Sequence, residues 1–274
     1  LEHPAIEALF TVDEETGLTG AFGLGEGMLT GKYLVNLDSE DEGEIFIGCA
    51  GGIDTVATLD YETEEVPEGY AFVRLEIGDL LGGHSGDDID KGRANSNKLM
   101  ARFLYNAIDK FQVVLAEMDG GNLRNAIARE AEALVCVPED KVRAFKTMVT
   151  KMGKAMVFEF RSTEPDMEFS LRDADMLKKV IDADTQERLV NLVYACAHGV
   201  LAMSREIENF VETSTNLASI KMEKSFIRIA TSQRSSVESA KQAAAAKLEA
   251  TFRLVGCRVS HSDGYPGWTP NPDS

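Results

Sequence analysis

Apolar and polar positions along the chain alternate in short blocks of two periods. Residues 70–78 (YAFVRLEIG) alternate with period two, as a half-buried strand does. Leu99, Phe103, Ala107 and Phe111 recur every four positions and make 95–111 an amphipathic helix. Compact β-type runs at 5–12 (AIEALFTV), 32–37 (KYLVNL) and 44–49 (EIFIGC) predict strands, and acidic residues follow the first two at once. Between those two, TGLTGAFGLGEG holds too much glycine for a long helix and predicts one or two helical turns plus loop. Further on the pattern predicts strands at 112–118 and 132–137, a helix over roughly 139–153 and a strand at 155–161. A long helix at 184–204, paired strands at 214–221 and 225–231, and an alanine-rich helix at 237–252 follow. Strand–helix–strand–strand–helix–strand is a ferredoxin-like order, here with extra material. After Gly256 the chain is rich in turn residues. The fold class is therefore α/β.

At 274 residues the chain has room for about two domains. Lys and Arg number 28 against 46 Asp and Glu, a net charge of −18 that argues against a duplex nucleic acid or an anionic membrane as partner. Cysteines at 49, 136, 196 and 257 form no CxxC pair, so neither a thiolate metal site nor a redox dithiol is expected. Reduced, mostly core cysteines of a cytoplasmic protein are the simpler reading. No apolar run approaches the length of a membrane-spanning helix. With no leading Met and a strand pattern starting almost at once, the chain reads as a piece of a longer protein.

The sharpest chemical feature is Asp13-Glu14-Glu15 at the end of an apolar run. Crowded carboxylates repel one another, and a divalent cation would relieve them, one acting as ligand and a neighbour as general base. The competing reading is an exposed acidic turn. Asp38, in NLDSE, is a second acid at a strand end and has the same two readings. In open α/β sheets, sites form outside the carboxyl ends of strands. His84 sits in a glycine-flanked turn, GGHSGDD, as a ligand or oxyanion donor; the adjacent Ser85 is not its catalytic partner. The DDIDKGRANSNK stretch fails as a calcium loop, because position twelve counted from Asp88 is Leu99. His198, in an apolar stretch, reads as a core residue, and His261 lies in a loop. Arg234 is a candidate holder of an anionic group, with a surface salt bridge as the alternative.

Taken together, FTVDEETGLTGA, YLVNLDSE and LLGGHSGDDIDKGRANSNK, with the later GGNLRNAIAREA and ATSQRSS, resemble the cytosol non-specific dipeptidases, or aminoacyl-histidine dipeptidases. These are di-zinc metallopeptidases of the carboxypeptidase and aminoacylase clan. The resemblance implies part of a catalytic sheet domain (1–53 and 248–274) carrying an inserted, enlarged ferredoxin-like lid (54–247). It implies hydrolysis of unblocked dipeptides in the cytoplasm by a homodimer joined through the lid. By the same resemblance Glu14 matches the general base, and Glu15 and Asp38 match ligands of the two zinc ions. His84 matches the lid histidine that stabilises the oxyanion, in related dimers from the partner subunit. Asn125 and Arg234 match positions that bind the substrate carboxylate. The family's HxD motif, bridging Asp and late His are absent from this chain, so it alone is expected to be inactive and to hold metal weakly. The alternatives are a non-enzymatic self-association module, or a tripeptidase, carboxypeptidase or deacylase on the same scaffold.

Overall fold

The computed structural model describes residues 2–14, 18–38, 43, 46–268 and 270–271. The chain forms two compact units, Leu1–Phe46 and Ile47–Ser274.

In the first unit the glycine-rich segment forms a single helical turn, α1 (Thr19–Phe22), as its composition predicts. The runs 5–12 and 32–37 are not strands, contrary to expectation. A strand needs a lateral partner for its backbone groups and a buried face for its side chains. Among the described residues of this unit no such pairing exists, and Phe10, Tyr33 and Leu37 are 90%, 93% and 88% exposed. Local bonds organise it instead: Glu7 accepts from Thr30 N (2.8 Å) and Gly31 N (3.1 Å), and Thr19 Oγ1 donates to Asp13 (2.7 Å). Of the run 44–49, residues 44 and 45 lie outside the described residues, and Cys49 makes only an isolated bridge to Trp268.

The second unit is built on one antiparallel sheet. Its strands are β1 (Gly51–Asp60), β3 (Tyr70–Gly78), β4 (Val114–Gly120), β5 (Ala131–Pro138) and β6 (Glu168–Asp173). They continue with β8 (Gly199–Met203), β9 (Val211–Met222), β10 (Phe226–Ser235) and β11 (Arg258–His261). The order is β11-β1-β10-β9-β4-β5-β3-β6, with β8 beside β9. Two short strands, β2 (Thr63–Glu65) and β7 (Lys179–Ile181), pair separately. Helices α2 (Ser96–Phe111) and α3 (Val142–Phe160) complete a β3-α2-β4-β5-α3-β6 block whose sheet order, β4-β5-β3-β6, is the ferredoxin-like one. This block meets the remaining strands through one registered pair, Gly120 with Ile220.

Helices α2, α3, α4 (Ala183–Ala195) and α5 (Glu238–Leu254) share a single core with one face of the sheet. Phe103, Phe145, Leu189, Leu248 and Phe252 pack there against Leu59, Leu75, Val135 and Ile229. A satellite core of Phe72, Ala116, Leu134, Cys136 and Val180 lies on the opposite face.

Two helical expectations need correction. Residues 155–161 alternate like a strand, yet Phe145, Val149, Gly153 and Met156 are buried at helical spacing, and α3 runs on to Phe160. The helix predicted at 184–204 stops at Ala195, because Cys196 leaves helical angles and Gly199 takes φ +101°. The Lys98 ammonium caps that end, donating to the carbonyls of Val193 (2.9 Å) and Cys196 (2.7 Å). Within the second unit β1 is in register with β10 from Gly51, and β11 pairs with β1. All four cysteines are free, with Cys136, Cys196 and Cys257 buried.

Candidate functional site

The site of the second unit lies on the sheet face turned away from α2–α5. Strand alternation decides this. In β10, Ile227, Ile229, Thr231 and Gln233 are buried on one side; Ser232 and Arg234 belong to the other. Register places Gly52 opposite Arg234 and Asp54 opposite Ser232 on β1, and Ser214 and Asn216 opposite the same pair on β9. Partners directly opposed share a face, so these six residues form one patch.

Two loops lie over that patch. The first carries His84, and its glycines are required: Gly82 has φ +63° and Gly83 φ +132°, values that favour a residue without Cβ. The second loop follows β4. They are tied by Ser85 N to Asn125 O (2.7 Å), Ile127 N to Gly83 O (2.9 Å) and a bridge between His84 and Ala126. Asn216 fastens the second loop to the sheet through Nδ2 to Ala126 O, 2.8 Å.

Three of the expected residues meet here. Arg234 Nη2 lies 3.2 Å from His84 Nε2, and Asn125 belongs to the strand-like segment paired with the His84 turn. Because a guanidinium only donates, Nε2 of His84 must accept. Nδ1 then carries the proton and donates to Asp87, 2.8 Å away. Asp88 accepts from the His84 backbone N–H at 2.7 Å. The Lys91 ammonium on Asp88, helped by that N–H and by Arg93, holds the Asp88 carboxyl below the usual carboxylate range. Beside the patch, Arg124 pairs with Asp54 at 3.2 Å.

The corner is polar and incompletely satisfied. Ser85 Oγ, Asn216 Oδ1 and Arg234 Nε are buried and have no hydrogen-bond partner among the described residues. Buried polar atoms are normally paired, so an unpartnered guanidinium nitrogen, with further unpartnered atoms on the His84 loop and on β9, suits a place that receives a polar group. A second hollow, about 390 Å³, is lined by Glu76, Asp119 and Glu132, but these are already paired with Arg172, Lys221 and Arg74.

The carboxylate candidates belong to the first unit. Glu14 and Asp38 are exposed, and Asp38 N donates to Asn36 Oδ1 at 2.9 Å; Glu15 lies outside the described residues. Among the described residues no group of three or more His, Cys, Asp or Glu side chains is placed to hold a metal ion. Two zinc ions each want about three protein ligands, so the described residues do not fit a zinc centre by themselves.

Sequence reasoning missed Asp87, Asn216 and the Asp54–Arg124 pair. The alternation of β9 and β10 was the available signal for Asn216. His198 accepts from Leu217 N at 3.3 Å, and burial, with Lys98 nearby, pulls its pKa down to about 4, as suits a packed histidine. His261 is not in a loop but in β11, between Thr55 (3.0 Å) and Glu249 (3.1 Å).

Residues 75–159 match the family model described as a peptidase dimerisation domain. Over 272 residues, 99% of its length, the chain is 36% identical to the cytosol non-specific dipeptidase of Escherichia coli, spanning 56% of that protein. It is 38% identical to the aminoacylhistidine dipeptidase of Vibrio alginolyticus, whose crystal structure it matches with a TM-score of 0.89 over 96% of this chain and 54% of that one. The chain thus spans about half the length of these relatives. Along nearly its whole length, in sequence and in fold, the chain is similar to part of the cytosol non-specific, or aminoacylhistidine, dipeptidases.

Proposed function

We propose that the full-length protein is a metal-dependent hydrolase of unblocked dipeptides, Xaa-His among them, working as a cytoplasmic homodimer. The observation that carries this reading is the Arg234 guanidinium, set beside His84 and the Asn125 loop with its Nε unpartnered among the described residues. A planar guanidinium in a buried corner suits a carboxylate, which it binds through two parallel hydrogen bonds. A free C-terminus read at that point selects short unblocked peptides. Asn125 completes the carboxylate site. His84 is assigned to the oxyanion, which it serves once Arg234 turns to the carboxylate. Glu14 takes a proton from the attacking water and returns it to the leaving amine. Glu15 and Asp38 are assigned to metal, zinc by the family's chemistry, in the full-length protein. The similarity of 75–159 to a peptidase dimerisation domain supports association through the ferredoxin-like block.

The test is a comparison of free and C-terminally amidated dipeptides with the full-length protein, before and after chelation. Fast, chelator-sensitive hydrolysis of the free peptide is expected, with the amide at least two orders of magnitude slower. No hydrolysis of either would favour a self-association module. Equal rates on both would point to another hydrolase of the same scaffold.

A further inference from the structure

Between Ser262 and Trp268 the chain runs antiparallel to the start of β1 and is pinned at several points. Asp54 N donates to Ser262 Oγ (2.9 Å), Tyr265 N to Gly52 O (2.8 Å), Gly52 N to Tyr265 O (3.1 Å) and Trp268 N to Cys49 O (2.9 Å). Lys241, only 3% exposed, spends its ammonium on the Tyr265 carbonyl at 2.6 Å and on Glu238 at 2.9 Å. Burying a lysine is costly unless it is paired, so much is invested in fixing this one residue.

The Tyr265 ring lies against Gly52. A Cβ added there would come within 2.5 Å of both Cζ and Oη, so the position admits glycine alone while the ring stays. Gly52 stands opposite Arg234 in the β1–β10 register, on the same face. Directly opposed Cβ positions are about 4.5–5.5 Å apart, so the phenol oxygen stands over the base of the Arg234 side chain. Among the described residues that hydroxyl has no hydrogen-bond partner, although the Tyr265 backbone N–H and carbonyl are both bonded.

We propose that Tyr265 is a substrate-binding residue, its hydroxyl donating to the same carboxylate that Arg234 holds. This rests on the carboxylate-binding reading of Arg234 and adds a neutral donor to it. A phenol beside a guanidinium gives a carboxylate oxygen an O–H donor that the planar fork does not occupy. Burial raises the Tyr265 hydroxyl above its ordinary range despite the nearby Arg234 and Arg124, so it remains a donor throughout the neutral range.

The test is Tyr265→Phe in the full-length protein, alongside Arg234→Ala, each assayed on a free dipeptide and its C-terminal amide. Removing only the hydroxyl keeps the ring on Gly52 and the backbone bonds. We expect KM for the free dipeptide to rise about 10–100-fold, the range of one hydrogen bond to a charged group, with kcat nearly unchanged and the amide unaffected. If Arg234→Ala discriminates free from amidated substrate and Tyr265→Phe does not, the Tyr265 assignment is overturned and the reading of Arg234 survives. If neither discriminates, both fall. A Tyr265→Phe effect equal on both substrates, or confined to kcat, also overturns the assignment.

Discussion

Glu164 offers the sharpest test of how the His84 loop is held. It is fully buried, and its two carboxylate oxygens are divided between the ends of that loop: Oε2 accepts from Leu81 N at 2.7 Å, Oε1 from Ala94 N at 2.8 Å. One side chain thus closes the segment that presents His84. Glu164→Gln keeps an acceptor for one amide but turns an NH2 group toward the other, so one charge-assisted bond is lost and a buried N–H is left unmatched. A hydrogen bond to a charged group contributes about 1.5–3 kcal/mol, so Glu164→Gln should cost roughly 2–4 kcal/mol. Glu164→Ala removes both bonds and should cost about 3–5 kcal/mol. Urea denaturation at neutral pH reads the stability, and amide exchange at Leu81 and Ala94 reads the clamp itself. The substrate KM should rise with the loosened loop. A Glu164→Gln protein within about 0.5 kcal/mol of the parent, with both amides still protected, would refute the clamp.

The remaining predictions concern pH and the assigned roles. His198 has a folded pKa of about 4 against an ordinary 6.5, so the unfolded chain binds more protons between those values and stability falls as pH drops through that window. The loss should approach about 2–3 kcal/mol by pH 4 and shrink in His198→Gln, measured by denaturation at pH 7 and pH 4.5; an unchanged pH profile in the variant would contradict it. Glu14→Gln in the full-length protein should keep its metal content by elemental analysis while kcat falls about 10²–10⁴-fold; loss of metal instead would reassign Glu14 as a ligand. If His84 serves the partner's site, mixing Glu14→Gln and His84→Ala subunits should restore about a quarter of the parent activity, and no recovery would place it in its own subunit's site.

How far the sequence foretold this fold depended on which force set each element. Helix α2 and strand β3 were legible because each buries one face, and that periodicity is written in Leu99, Phe103 and Phe111 or in YAFVRLEIG. Strand β1 was missed because GGIDTVATLD is held by register against β10 and β11, contacts nearly 180 and 200 residues away. The runs at 5–12 and 32–37 err in the opposite sense. They carry strand composition, but composition supplies no lateral partner, and without one the backbone stays irregular. Residues 155–161 alternate by coincidence, while the i, i+4 row from Phe145 through Val149 to Gly153 fixes a helix.

The site divides along a different line. His84, Asn125 and Arg234 lie up to 150 residues apart, and spacing alone gave no reason to group them; the family resemblance did, and the three meet in one polar corner of the second unit. What the resemblance left out is what holds that corner together. Asp87 fixes the tautomer of His84, Asn216 ties down the Asn125 loop, and Glu164 closes the His84 loop. None of these lies in a segment that looks chemical. Each is a polar residue in an ordinary stretch, and only a completed sheet decides whether it is buried and what it faces. Tyr265 is the limiting case. In sequence it is one more residue of a turn-rich tail, and its hydroxyl acquires meaning only because Gly52 leaves room for the ring beside Arg234. A binding site built on a sheet face is therefore read from sequence through its charged members and completed by its neutral ones, whose roles follow from register.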